Sequence, residues 1–554
     1  MRSEIPPKTF YPTRRSPPRF CGTFRFVKSE PTKAKSLLRQ GSSLSLLTLG
    51  SRVLGLVREM VKAAYMGTTP TSDAFSVAFL IPNLFRRLFA ENSITVAFIP
   101  TFRGLYEKGD KDQIRSFLSA TFTFLTFTVS LTTIAGILLT PQIVPIFGTS
   151  TGETVVLTRI MFPYLAIISI AAFFQGMLNG VKIFNPTGFT PILFNLAVIS
   201  ITMVFTPLIG DPGVAMALGV LVGGTIQAGF QLPFVIKAGF RFGLISLKTA
   251  LTHPGTREVL RLIGPTIIGM AAYQINDVVS TALAGQAGVG VVSSLSFSLR
   301  LQELILGIFA VTIGTIILPG LSSFAAKNQW ESFYSHLIQA VQVIALITLP
   351  VSVFAWLNGE QIIILLFRSQ AFGDESVRLT LNAFRWHTLG LFSIALNRII
   401  APAFYAQKDS KSPTWAGLVN FGVNILLAYS LVGTMAGGGI ALALSVASLA
   451  NTLVLFWMFR TKPFCPLKSL LKTTMVYSSK ILGFSVAAAI PMVLFGQSIY
   501  QLFQGLPGRL LQYGVPLVIL TLTYGILLIV GLLLVRDPLV SSAKMKFLSF
   551  TKRH

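Results

Sequence analysis

Apolar segments of roughly 20 residues or more, the length that crosses about 30 Å of hydrocarbon, recur along this chain from residue 42 to about residue 536. Fourteen helices can be drawn on that pattern, at 42–66, 73–102, 116–141, 154–179, 187–208, 213–236, 262–284, 291–324, 333–358, 379–406, 413–433, 437–459, 474–496 and 510–535. The second and eighth are long and carry polar interruptions. Turn residues punctuate most boundaries, among them Gly67-Thr68-Thr69-Pro70, Asn185-Pro186, Gly210-Asp211-Pro212, Ser412-Pro413 and Pro507-Gly508. No polar stretch between the spans is long enough to fold as a soluble domain. The pattern predicts an all-α polytopic membrane protein.

The loops sort by charge. With the N-terminus placed inside, the loops after even-numbered helices and the C-terminal tail hold 22 Lys and Arg, from Arg103 and Lys108 through Arg241, Lys327 and Lys468 to Arg553. Loops after odd-numbered helices hold three, Arg368, Arg378 and Arg509. Short-loop Lys/Arg excess marks the cytoplasmic side, and a wrong helix count would scramble the alternation. Both termini are therefore expected in the cytoplasm.

Helices 2 and 8 share a loose pattern: an aromatic-flanked apolar face, then an Arg and a Glu, then a proline (Pro100, Pro319). Helices 4 and 10 each end in a Lys shortly before a Pro (Lys182/Pro186, Lys408/Pro413). An offset of six helices keeps both copies in one orientation, which predicts two six-helix lobes around a central cavity, rocking against one another. The expected divisions are a basic disordered tail at 1–40, an N-lobe at 42–236, a C-lobe at 262–459, two further helices within 474–535 and a basic cytoplasmic tail at 536–554.

Composition agrees: 52% of residues are hydrophobic and 12% charged, against about 25% charged in soluble domains. The net charge of +26 would suit nucleic acid if it were clustered, but it is dispersed over short loops, so no nucleic-acid partner is expected. Cys21 and Cys465 each lie in a basic segment, without the spacing of a disulfide framework or a metal site. The first 40 residues hold ten Lys/Arg and prolines at 6, 7, 12, 17, 18 and 31. They lack the apolar core of a secretory signal and read as a tail near anionic headgroups, with an early start codon or a transit peptide as alternatives.

The candidate chemistry lies inside the spans. Arg52, Arg58 and Glu59 fall in helix 1; Asp73, Arg86, Arg87 and Glu91 in helix 2; Asp277 in helix 7; Arg300 and Glu303 in helix 8; Arg398 in helix 10. An arginine at mid-membrane costs about 2.5–3.5 kcal/mol on insertion scales, so several of them predict a wet cationic cavity. Its central walls should be helices 1, 2, 7 and 8. Structural roles stay open for several of these groups. Arg58-Glu59 could be an ion pair, Asp73 the N-cap of helix 2, and Arg86-Arg87 could bond carbonyls freed near Pro82. Arg300 could pair with Glu303 three residues on, and Arg398 could serve packing. Arginine suits phosphate: its planar fork bonds oxygens in pairs and stays charged.

The runs SRVLGLVRE, SDAFSVAFLIPNLFRRLFAE and AFIPTF, followed in order by FPYLAIIS, LNGVKIFNPTGFTPILFN, LRLQELILGIFAVTIGTIILPGLS and APAFYAQKDSKSP, resemble the bacterial lipid II flippase family (MurJ/MviN) over residues 42 to about 540. The resemblance implies the multidrug/oligosaccharidyl-lipid/polysaccharide exporter fold. It also implies a function: moving undecaprenyl-diphosphate-linked peptidoglycan precursor from the inner to the outer leaflet of the bacterial cytoplasmic membrane by alternating access, for cell wall synthesis. On that basis Arg52, Arg58, Arg86 and Arg300 would bind the diphosphate. Asp73, Glu59, Glu303 and Arg398 would couple or gate, and the lipid tail would lie along the two C-terminal helices. No catalysis, cofactor or metal is expected. The membrane potential would drive transport, the coupled ion is left open, and the peptidoglycan synthesis machinery is a candidate partner beside lipid II and membrane lipids. The long N-terminal tail departs from the family pattern. The rival readings are a flippase for another polyprenyl-diphosphate glycan such as O-antigen, an integral enzyme acting on polyprenyl phosphates, and an anion channel. The enzyme would need clustered carboxylates or histidines, whereas His253, His336, His387 and His554 are scattered.

Overall fold

The computed structural model describes residues 31–88, 97–148, 152–462 and 464–542, and among them the regular elements are helices. In chain order these are α1 (Pro31–Met66), α2 (Pro70–Arg86), α3 (Ile99–Lys108), α4 (Lys111–Ile143), α5 (Gly152–Met161), α6 (Pro163–Gly180), α7 (Asn185–Ile209), α8 (Pro212–Lys237) and α9 (Leu247–Thr252). There follow α10 (Pro254–Gln286), α11 (Val291–Ala326), α12 (Trp330–Leu357), α13 (Gly359–Phe367), α14 (Asp374–Ala406), α15 (Lys411–Met435), α16 (Gly437–Met458), α17 (Leu467–Phe503) and α18 (Val515–Leu534).

Most boundaries fall within a few residues of those expected, and three places differ. Helix α1 reaches back to Pro31, so the end of the expected disordered tail is helical. Proline suits a first helical turn, and Lys33, Ala34, Lys35, Leu37 and Leu38 after it are good helix formers. The rest of that tail lies outside the described residues, as does Glu91. The expected helix 73–102 is described as α2 and α3, on either side of residues 89–96. The expected helix 154–179 is α5 and α6, which meet at Phe162 ahead of Pro163 and count together as one span.

Among the described residues, ten helical stretches are long and apolar enough to cross a membrane. Helices α1, α2, α10 and α11 are not among those ten. These four correspond to the helices expected to line the cavity. They carry Arg52, Arg58, Glu59, Lys62, Asp73, Arg86, Asp277, Arg300 and Glu303.

Packing is organised around several cores. One joins α2, α5, α6, α7 and α8 through Phe75, Met161, Tyr164, Phe194 and Val220. Another joins α11, α12, α14, α16 and α17 through Leu321, Phe333, Leu391, Phe404 and Phe456. Helices α17 and α18 pack on α12 through Ala345, Ile481, Ala489, Leu520 and Leu528. A fourth core crosses from the first half to the second, bringing Val77, Ile81 and Phe162 against Ala284, Val291, Leu295, Ala383 and Ile440. Large apolar side chains such as Leu138, Leu208, Leu426, Phe495, Leu522 and Leu534 remain exposed, as they would on lipid-facing surfaces.

The turn between α14 and α15 is pinned by Asp409. It accepts from Lys462 Nζ, from Ser412 N (3.0 Å) and from Ser412 Oγ (2.6 Å). Burial works against its charge, yet these donors, with Lys462 foremost, hold its carboxyl at about 2. A carboxyl depressed in the folded state stabilises above its unfolded value and loses that contribution as pH falls through the folded one. Asp409→Asn should therefore lower the melting temperature of the purified protein near pH 7. The gap from the parent should close as the pH is taken from about 4 toward 2; a gap independent of pH would contradict this account.

Candidate functional site

Helices α1, α2, α7, α11 and α14 converge on a polar chamber made of two recesses of about 570 and 480 Å³ that share Arg58, Phe79, Asn83, Arg87, Arg300 and Glu303 on their walls. Arg52, Arg86 and Arg398 line the first recess; Glu59, Asp277 and His387 line the second. Among the described residues, six guanidiniums thus face three carboxylates around one space. The fold brings together seven of the eight expected site residues.

The arginines are held by partners of several kinds. Arg58 Nη2 donates to Glu59 Oε1 at 2.7 Å, its Nη1 points at Asn195 Oδ1 (3.4 Å), and its guanidinium lies 5.7 Å from the centre of the Phe79 ring. Asn195 also donates to the carbonyl oxygens of Ser51 and Pro191, so it fixes the arginine and ties α7 to α1. Arg86 Nε donates to Asn83 Oδ1 at 2.9 Å, one turn earlier on α2. Arg300 Nη1 meets Glu303 Oε2 at 3.3 Å, the one-face pairing that the sequence left open. Arg87, outside the expected site set, reaches across to α10, where it bonds Asp277 Oδ2 (2.8 Å) and Gln274 Oε1 (3.2 Å).

Asp73 sits elsewhere. It does not cap its own helix: the N-cap of α2 is Thr69. Its carboxylate crosses to the start of α11, accepting from Gly290 N (2.6 Å) and Ser293 N (2.7 Å). A carboxylate on the free N–H groups of a helix start is favoured by both hydrogen bonding and the helix dipole. Around it the α1–α2 turn is closed on the second half. Thr68 Oγ1 bonds Ser376 Oγ at 2.8 Å, and Ser369 Oγ donates to the Ala63 carbonyl at 3.2 Å. Gly67 and Gly290 both take positive φ, and a Cβ on Gly67 would stand 2.0 Å from the Ala371 carbonyl oxygen. Only glycine fits such a backbone approach.

Sequence reading passed over Lys62. It is 2% exposed, donates to Ser76 Oγ at 2.6 Å and lies against the rings of Phe297 (4.9 Å) and Phe75 (5.7 Å). Its spacing could have flagged it, since it follows Arg58 by four positions and Glu59 by three, on one helical face.

Comparison with known proteins decides the family. The family model for the lipid II flippase MurJ matches residues 62–516. A protein of Treponema pallidum (strain Nichols) described as "Probable lipid II flippase MurJ" is 45% identical over 515 residues, covering 92% of this chain and 98% of its own. The chain belongs to the lipid II flippase MurJ family. "Lipid II flippase MurJ" of Burkholderia cenocepacia is 32% identical over 438 residues, with 77% and 84% covered. Among solved structures, "Lipid II flippase MurJ, inward closed conformation" aligns with a TM-score of 0.71 at 24% identity, over 90% of this chain and 99% of that one. A multidrug transporter of the MOP superfamily, described as inward-facing, aligns at 0.62 and 16% identity, over 77% and 99%. The polytopic MurJ/MATE-like membrane fold and the transport class expected from sequence are thereby established, and a catalytic enzyme is not what this family is.

The Asp73 contacts predict a measurable seam. Asp73→Asn keeps the shape and removes the charge from two N–H bonds, and should cost about 1–3 kcal/mol, seen as a lower thermal midpoint of the purified protein. It should also speed labelling of a cysteine placed at Thr68, a position 8% exposed. Unchanged midpoint and labelling would show that the seam does not depend on this carboxylate.

Proposed function

We propose that the chain carries lipid II across the bacterial cytoplasmic membrane from inner to outer leaflet, with the diphosphate held by the chamber arginines and no bond made or broken. The observation that supports this most strongly is the excess of guanidiniums, six against three carboxylates among the described residues, on the walls of one chamber. A diphosphate supplies two or more negative charges and several acceptor oxygens, matching both the excess and the fork geometry of arginine. Arg52, Arg58 and Arg300 are the primary ligands, with Arg86 in support. Glu59 and Glu303 hold their arginine neighbours in place between loads, and Arg398 completes the wall. The undecaprenyl tail stays in the bilayer along α17 and α18.

The excess of Lys and Arg in alternate loops supports a cytoplasmic location for both termini. The Asp73 seam then lies at the outer end, and its opening releases the headgroup. The potential assists: moving one elementary charge through 100 mV is worth about 2.3 kcal/mol. An inside-negative potential favours outward travel of an anionic headgroup and inward return of an emptied cationic chamber.

In proteoliposomes of the full chain, Arg52→Ala and Arg300→Ala should each slow lipid II flipping roughly tenfold or more, the worth of one or two charged hydrogen bonds. Lysine at either position should restore little, because it loses the fork. Undiminished flipping in both alanine variants would remove the chamber from the mechanism. Preferential flipping of an undecaprenyl-diphosphate glycan lacking the pentapeptide would redirect the substrate.

A further inference from the structure

Helices α1 and α11 cross along the chamber edge with Arg52 opposite Gly307 and Arg300 opposite Gly55. Arg300 Nη2 donates to the backbone carbonyl of Arg52 at 3.3 Å, and Arg52 Nη1 donates to the backbone carbonyl of Glu303 at 3.2 Å. The exchange is reciprocal: each helix gives one guanidinium and receives one.

What admits each guanidinium is a missing side chain. A Cβ on Gly55 would stand 1.6 Å from Arg300 Nη2 and 2.8 Å from its Cζ; a Cβ on Gly307 would stand 1.7 Å from Arg52 Nη1 and 2.5 Å from its Cζ. At both glycines the three atoms nearest that Cβ all belong to the one arginine. Neither glycine has a positive φ, so the backbone does not require glycine at either place. Helical side chains lean toward the N-terminus and roof the turn before them. Gly55 follows Arg52 by three residues and Gly307 follows Glu303 by four, so each glycine leaves uncovered the carbonyl that accepts the arginine.

We propose that Gly55 and Gly307 are positioning residues for transport, forming two carbonyl seats in which Arg300 and Arg52 rest until a diphosphate takes over their N–H groups. The proposal rests on the diphosphate reading above and adds a coupling step to it. A carbonyl is a neutral acceptor and a phosphate oxygen a charged one, so the anion is the stronger partner. Its arrival exchanges protein carbonyl for phosphate at both arginines, and α1 is no longer fastened to α11. Loading the chamber and freeing its edge become one event.

Gly55→Ala and Gly307→Ala test this without endangering the helices, because alanine is the better helix former. The probe is inorganic pyrophosphate titrated into the purified full chain by calorimetry. With its seat filled, an arginine no longer has to leave a carbonyl, and affinity should rise about two- to tenfold, the worth of one competing neutral hydrogen bond. In proteoliposomes the same variants should show a lower KM for lipid II together with a lower kcat, since the emptied carrier cannot re-fasten. A merely structural role would move neither in that pattern. The gain from Gly55→Ala should vanish in an Arg300→Ala background, and that from Gly307→Ala in Arg52→Ala. Pyrophosphate affinity in both glycine variants no higher than in the parent would overturn the proposal, and so would a gain that survives loss of the seated arginine. A parent protein that binds pyrophosphate but fails to flip lipid II would count against the flippase reading alone.

Discussion

A guanidinium carried to membrane depth must be solvated by something other than lipid, and that requirement organises the centre of this molecule. No arginine of the chamber sheds its charge at physiological pH, so each needs acceptors. Arg58 has Glu59, Asn195 and the face of Phe79; Arg87 has Asp277 and Gln274; Arg86 has Asn83; Arg300 has Glu303 and a carbonyl of α1. Among the described residues the carboxylates number half the arginines. Had they matched, the pairs would be self-contained, and replacing buried pairs by apolar packing is often neutral or stabilising. The excess of positive charge among the described residues favours water or an anion in the space between α1, α2 and α11.

That wetness has a structural cost borne by the neighbours. The chamber helices bury polar side chains, among them Glu59, Lys62, Asp73 and Gln302, along faces that would otherwise pack. Stability is supplied from behind. Apolar cores back α2 on one side and α11 on the other, and the crossing core joins Val77 and Ile81 to Val291 and Leu295. The added pair α17 and α18 leans on α12, away from the chamber, and so widens the apolar surface without narrowing the cavity.

The spans were legible in sequence because length and hydropathy are local, and the loop charges supplied an independent check on their order. The chamber was legible through the price of burying arginine: Arg52, Arg58, Arg86, Arg300 and Arg398 could be chosen one by one, and the fold set them around one space. Partners distant in sequence could not be read. Nothing near Asp73 announces that its acceptors face N–H groups 217 and 220 positions away. Asn195 looked like an ordinary polar residue, and Arg87 carried no sign of Asp277 as its partner, until the fold brought α7 to Arg58 and α10 to Arg87. Gly55 and Gly307 carry no local signal at all, since a helical glycine in a membrane span is unremarkable until a side chain from another helix is found lying on it.

The two ends of the contact between α11 and the first half are fastened by different means. At the Asp73 end the fit is backbone to backbone: Gly67 and Gly290 hold left-handed conformations, and the Ala371 carbonyl comes within 2.0 Å of where a Cβ on Gly67 would be. Such a joint opens only when main chain moves, so it behaves as a two-state closure. At the Arg52/Arg300 end the fit is side chain to carbonyl, and a rotamer change undoes it. A carrier that must let its cargo in at low cost, yet keep the far side shut until loading is complete, gains from that asymmetry. The end that loosens by side-chain exchange is the one whose donors the anion competes for, while at the Asp73 end the helix N–H groups already hold a carboxylate. Its carboxylate repels the anion, and opening there has to follow from movement of the helices, after the arginines have changed partners.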